Sequence, residues 1–166
     1  MRSLAVVLPL LLCAGCAAVR PGTERPPPPA LMGLEARTVV EAAEQLFDAM
    51  EARDTAALRT LMHPDAQIIA IDPEGQARVQ PGGAAAWIEG VTRSEGGTWH
   101  ERIRDPRVEV AGALATLWAP YTFHIDEAFS HCGTDAFQFV WTDDGWQLLV
   151  VTFTIETEGC DAGGNP

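Results

Sequence analysis

Apolar residues recur at helical spacing from Thr38 to Arg53. Val39, Val40, Ala43, Leu46, Phe47 and Met50 share one face, and Glu41, Glu44, Asp48 and Glu51 take the other. The pattern predicts an amphipathic helix. Asp54 is placed to cap a second, short helix over Thr55 to Met62, because a carboxylate there can accept the unpaired N–H groups of a first turn. His63-Pro64-Asp65 closes it, since the residue before proline is pushed out of the helical region. The period then changes. Ala66 to Ile71 reads as a strand stopped by the turn-forming Asp72-Pro73-Glu74-Gly75. Gly82-Gly83 opens a third short helix reaching Gly90. Strand-like runs follow over Thr98 to Arg104, Arg107 to Val110, Leu114 to Ile125, Thr134 to Thr142 and Trp146 to Glu156. Asp143-Asp144-Gly145 between the last two is a strong local hairpin signal. With Asp144-Gly145 as a two-residue turn, Asp135 faces Thr154 and Phe137 faces Thr152. Helices first and consecutive antiparallel strands afterwards define a segregated α+β domain over residues 34–160.

What precedes the domain reads as an address. Met1-Arg2, an apolar stretch from Leu4 to Leu12 and the small residues around Cys13-Ala14-Gly15-Cys16 follow the order of a secretory signal. The stretch is too short to span a bilayer, which takes about 20 apolar residues. Ala14-Gly15-Cys16 resembles the end of a bacterial lipoprotein signal over residues 1–16, which implies that Cys16 is acylated and becomes the mature N-terminus; cleavage near Ala18 is the alternative. Residues 17–33 are proline-rich and read as a semi-rigid tether, and residues 161–166 as a tail. The expected home is the cell envelope, facing the periplasm from the outer membrane if the cell is Gram-negative, or else a soluble periplasmic or secreted state.

Charge narrows the function. Of the 166 residues, 23 are Asp or Glu and 11 are Arg or Lys, for a net charge of −12. A nucleic-acid binder needs clustered cations for phosphate contacts, so that class is excluded. No nucleophile elbow, phosphate loop or dinucleotide fingerprint occurs, and no cofactor is expected. His63, His100, His124 and His131 show no ligand spacing, so no metal is expected either. Thr98 to Arg104, with His100, Glu101, Arg102 and Arg104, reads as an edge or outer strand carrying charges against aggregation. Cys132 and Cys160 remain after export; a disulfide between them is expected in an oxidising compartment, with two inert thiols as the alternative.

The order of elements across residues 36–160 resembles the nuclear transport factor 2-like superfamily. Leu114-Ala-Thr-Leu-Trp-Ala-Pro-Tyr121 and Phe129-Ser-His-Cys-Gly-Thr-Asp-Ala-Phe-Gln-Phe139 are similar to its lumazine-binding-like branch. The resemblance implies a cone, a bent antiparallel sheet wrapped on helices around an apolar cavity, and dimers through the outer sheet face. In the superfamily's steroid isomerase branch one Asp is a general base. A second, protonated Asp and a helix Tyr hold the oxyanion. Alignment puts Asp72 and Asp135 at the acidic positions and Leu46, which has no donor, at the Tyr.

The missing donor favours binding over catalysis, because losing one oxyanion donor costs about 10²–10³ in rate. The favoured reading is therefore a small apolar or aromatic molecule held in the cone, without catalysis. Leu46, Trp118, Tyr121, Phe137, Phe139, Thr152 and Thr154 are the pocket candidates. Trp118 and Tyr121 have opposite strand parity, so only one points inward unless Pro120 forms a bulge. A SnoaL-like isomerase, cyclase or dehydratase using Asp72 and Asp135 is the alternative, and a dimeric envelope adaptor the second. Asp72 as a plain turn residue, and Asp135 as a structural residue bonded to backbone or Thr154, are the bland readings of the two acids.

Overall fold

The computed structural model describes residues 34–93 and 96–160. The signal, Cys16, the proline-rich tether and the C-terminal tail lie outside the described residues. Three helices, α1 (Leu34–Glu51), α2 (Thr55–Leu61) and α3 (Gly83–Arg93), accompany seven strands. The strands are β1 (Met62–Ile71), β2 (Ala77–Val79), β3 (Trp99–Ile103), β4 (Arg107–Ala111), β5 (Leu114–Ile125), β6 (Ala128–Thr142) and β7 (Gly145–Thr154). They form one sheet in the order β2-β1-β7-β6-β5-β3, with β4 also on β5. The class is α+β, as expected. All pairings are antiparallel except β1 on β7, which is parallel.

Local chemistry explains the elements. Asp54 caps α2, its Oδ1 accepting from the N–H groups of Ala56 and Ala57 at 3.0 Å each. β1 starts four residues earlier than the sequence suggested, because Met62 already pairs with Leu148 and the chain around Pro64 bulges before pairing resumes at Gln67. Pro64 cannot donate to a ladder, so the bulge falls where the N–H is missing. β5 exchanges neighbours along one edge: Leu114 to Trp118 pair with β4 and Tyr121 to Ile125 with β3. Pro120 sits at the exchange, and its carbonyl accepts from the Arg104 N–H at 2.9 Å. One long strand is thus held along the same edge by two successive antiparallel partners.

The hairpin register differs from expectation. Thr142 pairs with Gly145 and Trp141 with Trp146, so Asp143-Asp144 occupy the turn. Neither Asp takes positive φ; Gly145 does, at 101°. The two-residue turn thus falls on Asp143-Asp144, one position earlier than the anticipated Asp144-Gly145. A second irregularity between Gln138 and Phe139 shifts the register again, and Asp135 faces Phe153 while Phe137 faces Val151.

Buried faces follow the two periods. Val39, Ala43, Leu46, Phe47 and Met50 of α1 pack on Leu117, Phe139, Leu148 and Val151 of the sheet's concave side. Ile88 and Val91 of α3 close the β1 side. Trp146 donates from Nε1 to Thr38 Oγ1 at 3.1 Å, tying the last hairpin to the first turns of α1.

Candidate functional site

The helices cover only part of the concave face. Between the second half of α1, the end of β1, the β2–α3 segment and the open ends of β3, β5, β6 and β7 lies a cavity of about 510 Å³. That volume is in the range of small-molecule sites. Leu46 and Phe47 form its helix wall, Ile68 and Val151 its floor, and Trp99 and Phe123 one aromatic flank. Those two rings meet edge to face, with centroids 5.8 Å apart. Phe47 and Phe137 do likewise at 6.0 Å.

Two acids project into this apolar space. Asp135 is 1% exposed, on the inward parity of β6. Glu101 comes from β3 opposite Phe123. Their side chains are hydrogen-bonded to each other. Two carboxylates cannot bond without a proton between them, so the contact itself requires one to be protonated. Burial, then the field of Glu101 and its hydrogen bond, raise Asp135 well above the usual carboxylate range. Burial pushes Glu101 up to about 7, although its bond to Asp135 pulls the other way. The pair therefore keeps a shared proton at neutral pH and titrates as a unit. Asp135 Oδ2 has no donor among the described groups.

Neighbours of the pair are polar but uncharged. Tyr121, 1% exposed, donates from its hydroxyl to the Thr154 carbonyl at 2.8 Å. Burial and the adjacent acids raise its ionisation above the ordinary phenol range. His131 lies flat on Phe123, with centroids 4.8 Å apart, and shares a 3.0 Å contact between its Nδ1 and Ser130 Oγ. Burial lowers its basicity, so it is neutral near pH 7. Gly133 lets Tyr121 approach: a Cβ there would strike the Thr154 carbonyl and the Tyr121 ring.

The sequence-derived candidates divide. Leu46, Tyr121, Asp135 and Phe137 line the cavity. Phe139 is buried at 1% exposure, stacked on Phe137 5.7 Å away, and belongs to the packed core beneath. Trp118 is corrected: β5 alternates without a bulge at Pro120, so Tyr121 points in and Trp118 points out, 50% exposed. Thr152 pairs with Ala136 on the convex face, and the Thr154 hydroxyl accepts the Thr134 N–H at 2.9 Å; neither lines the cavity. The correction of the two threonines follows from the shifted hairpin register, that of Trp118 from the unbroken alternation of β5.

Asp72 is also corrected. It does not meet Asp135. Its Oδ1 accepts the Gln76 N–H at 2.8 Å, and its Oδ2 accepts from Arg78 Nη2 at 2.7 Å and Nε at 3.0 Å. These bonds, the Gln76 backbone first and Arg78 next, lower its pKa. It is a turn residue that binds its own cation. Asp135's acidic partner is Glu101, which the sequence reading placed among the solvent charges of β3. The signal was period-two alternation: Glu101 shares its face with Trp99 and Ile103, opposite His100 and Arg102. The two outer residues instead grip the end of α1, with His100 Nδ1 and Arg102 Nη2 at 3.0 and 2.9 Å from Glu51 Oε2.

Cys132 and Cys160 are joined, with Cα atoms 6.1 Å apart. Cys132 bridges Glu156, so the bond pins the segment after β7 onto the outer side of β6. Among the described residues no three His, Cys, Asp or Glu side chains converge as a metal site, and no helix is long and apolar enough to cross a membrane.

A curled seven-stranded sheet packed on three helices around an open-ended cavity defines the nuclear transport factor 2-like cone. The chain belongs to the family described as Putative lumazine-binding, whose profile matches residues 35–154. Solved structures agree on the fold. A nuclear transport factor 2-like protein from Salmonella enterica serovar Typhimurium superposes with a TM-score of 0.60 at 13% identity, covering 80% of this chain and 99% of that one. A protein described as a putative dehydratase of the same family from Streptomyces avermitilis gives 0.59 at 18% identity, covering 75% and 97%. A Mycobacterium tuberculosis protein of unknown function gives 0.63 at 13% identity, covering 75% and 73%. No curated protein sequence matches the chain.

Proposed function

We propose that this domain binds a small apolar or aromatic molecule inside its cone, with the Glu101–Asp135 pair at the polar end of the site. The observation that carries the reading is the cavity itself: about 510 Å³, walled by aromatic and aliphatic side chains, with one converging pair of acids, Asp135 buried and Glu101 half-buried. Apolar walls supply affinity in proportion to the area they remove from water, and a few fixed polar groups set orientation. Nile red titration tests it. The wild-type protein takes up the dye saturably with blue-shifted emission, and Ala70→Trp, which fills the cavity from β1, abolishes uptake while leaving the fold intact by circular dichroism. Non-saturable uptake, or equal uptake by the variant, overturns the reading.

A proton-transfer enzyme is the second reading. It is supported by a carboxyl poised near neutrality beside a buried acid; its residues in this reading are Glu101 and Asp135, while Asp72 is bonded to Arg78 and is not among the residues lining the cavity. For the remainder of the chain, we propose acylation at Cys16, read by the mass of envelope-purified protein. We also propose a homodimer across the convex face around Trp118, read by sedimentation.

A further inference from the structure

The cavity combines features that a neutral guest would leave unused. Its polar end carries two acids and no free base. Among the described lining residues the ionisable side chains are Arg78 from β2, Glu101 from β3, Tyr121 from β5, and His131 and Asp135 from β6. Arg78 is the single fixed cation, and Asp72 holds it in a 2.7 Å ion pair. His131 is kept neutral by burial, and Tyr121 spends its proton on the Thr154 carbonyl. Glu156, whose field also reaches Tyr121, adds negative charge from behind β7. Among the described lining residues nothing neutralises the acids except their own shared proton. Asp135 lines the cavity, and its buried Oδ2 has no hydrogen-bond donor among the described groups.

Around these acids stand π faces. Trp99, Phe123, Phe137 and Phe153 line the same space, and Tyr121 meets Phe153 edge to face at 6.3 Å. Aromatic faces attract a desolvated cation while tolerating an apolar body, each contact contributing roughly 0.5–2 kcal/mol. A carboxylate supplies the hydrogen-bond acceptor that an ammonium needs. From the unpartnered Asp135 oxygen, the adjoining Glu101 carboxyl and the aromatic walls, we infer that the ligand is a lipophilic organic amine bound as its cation, its ammonium group donating to the Glu101–Asp135 pair. This inference rests on the cavity-binding reading above and specifies its ligand class. Binding exchanges one positive charge for another: as the ammonium enters, a proton leaves the acid pair for solvent whenever the pair is still fully protonated.

Three probes share one hydrocarbon body: adamantylamine, adamantanol and adamantane carboxylate. Their affinities are measured by Nile red displacement. At about pH 8 the amine binds at least about tenfold more tightly than the alcohol, a difference of about 1.4 kcal/mol, and the carboxylate more weakly than either. The amine loses affinity as pH falls below about 7, where protons compete for Glu101, and the alcohol does not. In the double variant Glu101→Gln, Asp135→Asn, its fold checked by circular dichroism, the amine-to-alcohol ratio falls to about one. Calorimetry of the wild-type protein in buffers of different ionisation enthalpy supplies an independent readout. It detects proton release with the amine at about pH 6.5 and none with the alcohol.

A wild-type ratio near one, an unchanged ratio in the double variant, or no proton release overturns the amine inference. If Nile red still enters, the binding cavity itself survives. If neither dye nor any probe enters, both readings fall together.

Discussion

Replacing Glu101 by Gln separates the cost of the acid pair from the rest of the fold. Gln keeps the shape and offers Asp135 an amide donor in place of a second acid. In the wild-type protein burial pushes Glu101 up to about 7 in the folded state, against the ordinary glutamate value of 4.5 in the unfolded chain. A raised carboxyl favours folding only while it is protonated. Below about pH 4.5 both states hold the proton and nothing is lost. Between there and about 7 the unfolded chain ionises and the folded one resists, so stability falls; above 7 the loss is complete. At 1.36 kcal/mol per unit the ceiling is about 3 kcal/mol. Glu101 stands on the wall of an open cavity and water reaches part of it, so about 1–2 kcal/mol is the expected share. Urea unfolding of both proteins across about pH 4.5 to 8 measures it. The variant and the wild type coincide within about 0.5 kcal/mol at the acid end, and the variant is the more stable by about 1–2 kcal/mol at the alkaline end. A difference between them that does not change with pH refutes the shared-proton argument.

Other perturbations test other parts. Asp72→Asn weakens the Arg78 pair and lowers the melting temperature at neutral pH but leaves Nile red uptake within about twofold; the depressed wild-type carboxyl stabilises above its unfolded pKa and stops doing so as acid protonates it, so the two melting curves converge at low pH. Loss of dye binding in this variant would return Asp72 to the cavity. Removing the cross-link by Cys160→Ser costs about 3 kcal/mol by loop closure over the 28-residue separation, read as a fall in urea midpoint that reductant reproduces in the wild type; equal midpoints would contradict it. Gly133→Ala forces a Cβ against the Thr154 carbonyl and Tyr121 and lowers stability by more than about 2 kcal/mol, with a variant as stable as the wild type counting against the tight packing there.

The sequence was most legible where a local rule acted alone. β5 matches its apolar run from Leu114 to Ile125, and Asp54 caps the helix that its position advertised. Legibility failed where one residue tipped a balance between neighbouring geometries. Gly145 took the positive φ that the anticipated two-residue turn would have demanded of Asp144, and that moved Thr152 and Thr154 out of the expected pocket. β2 escaped notice because all three of its residues are exposed and leave no pattern to read. Glu101 was hidden by its neighbours: between His100 and Arg102 it resembles a solvent charge, and only its distance of two from Trp99 and Ile103 shows its true side. The parallel contact of β1 with β7 has no local signature, since nothing in either segment names a partner so far along the chain.

That contact has a temporal consequence. Ile71 lies beside Thr154 in the finished sheet, yet the ribosome delivers one long before the other. Until the final strand emerges, β1 carries an unsatisfied edge and the floor of the cone does not exist. Non-local pairing of this kind slows folding and exposes unpaired backbone meanwhile. A nascent chain interrupted before Gly145 would therefore hold helices and a hairpin but no chamber, and whatever the chamber retains can be captured only after β7 has emerged.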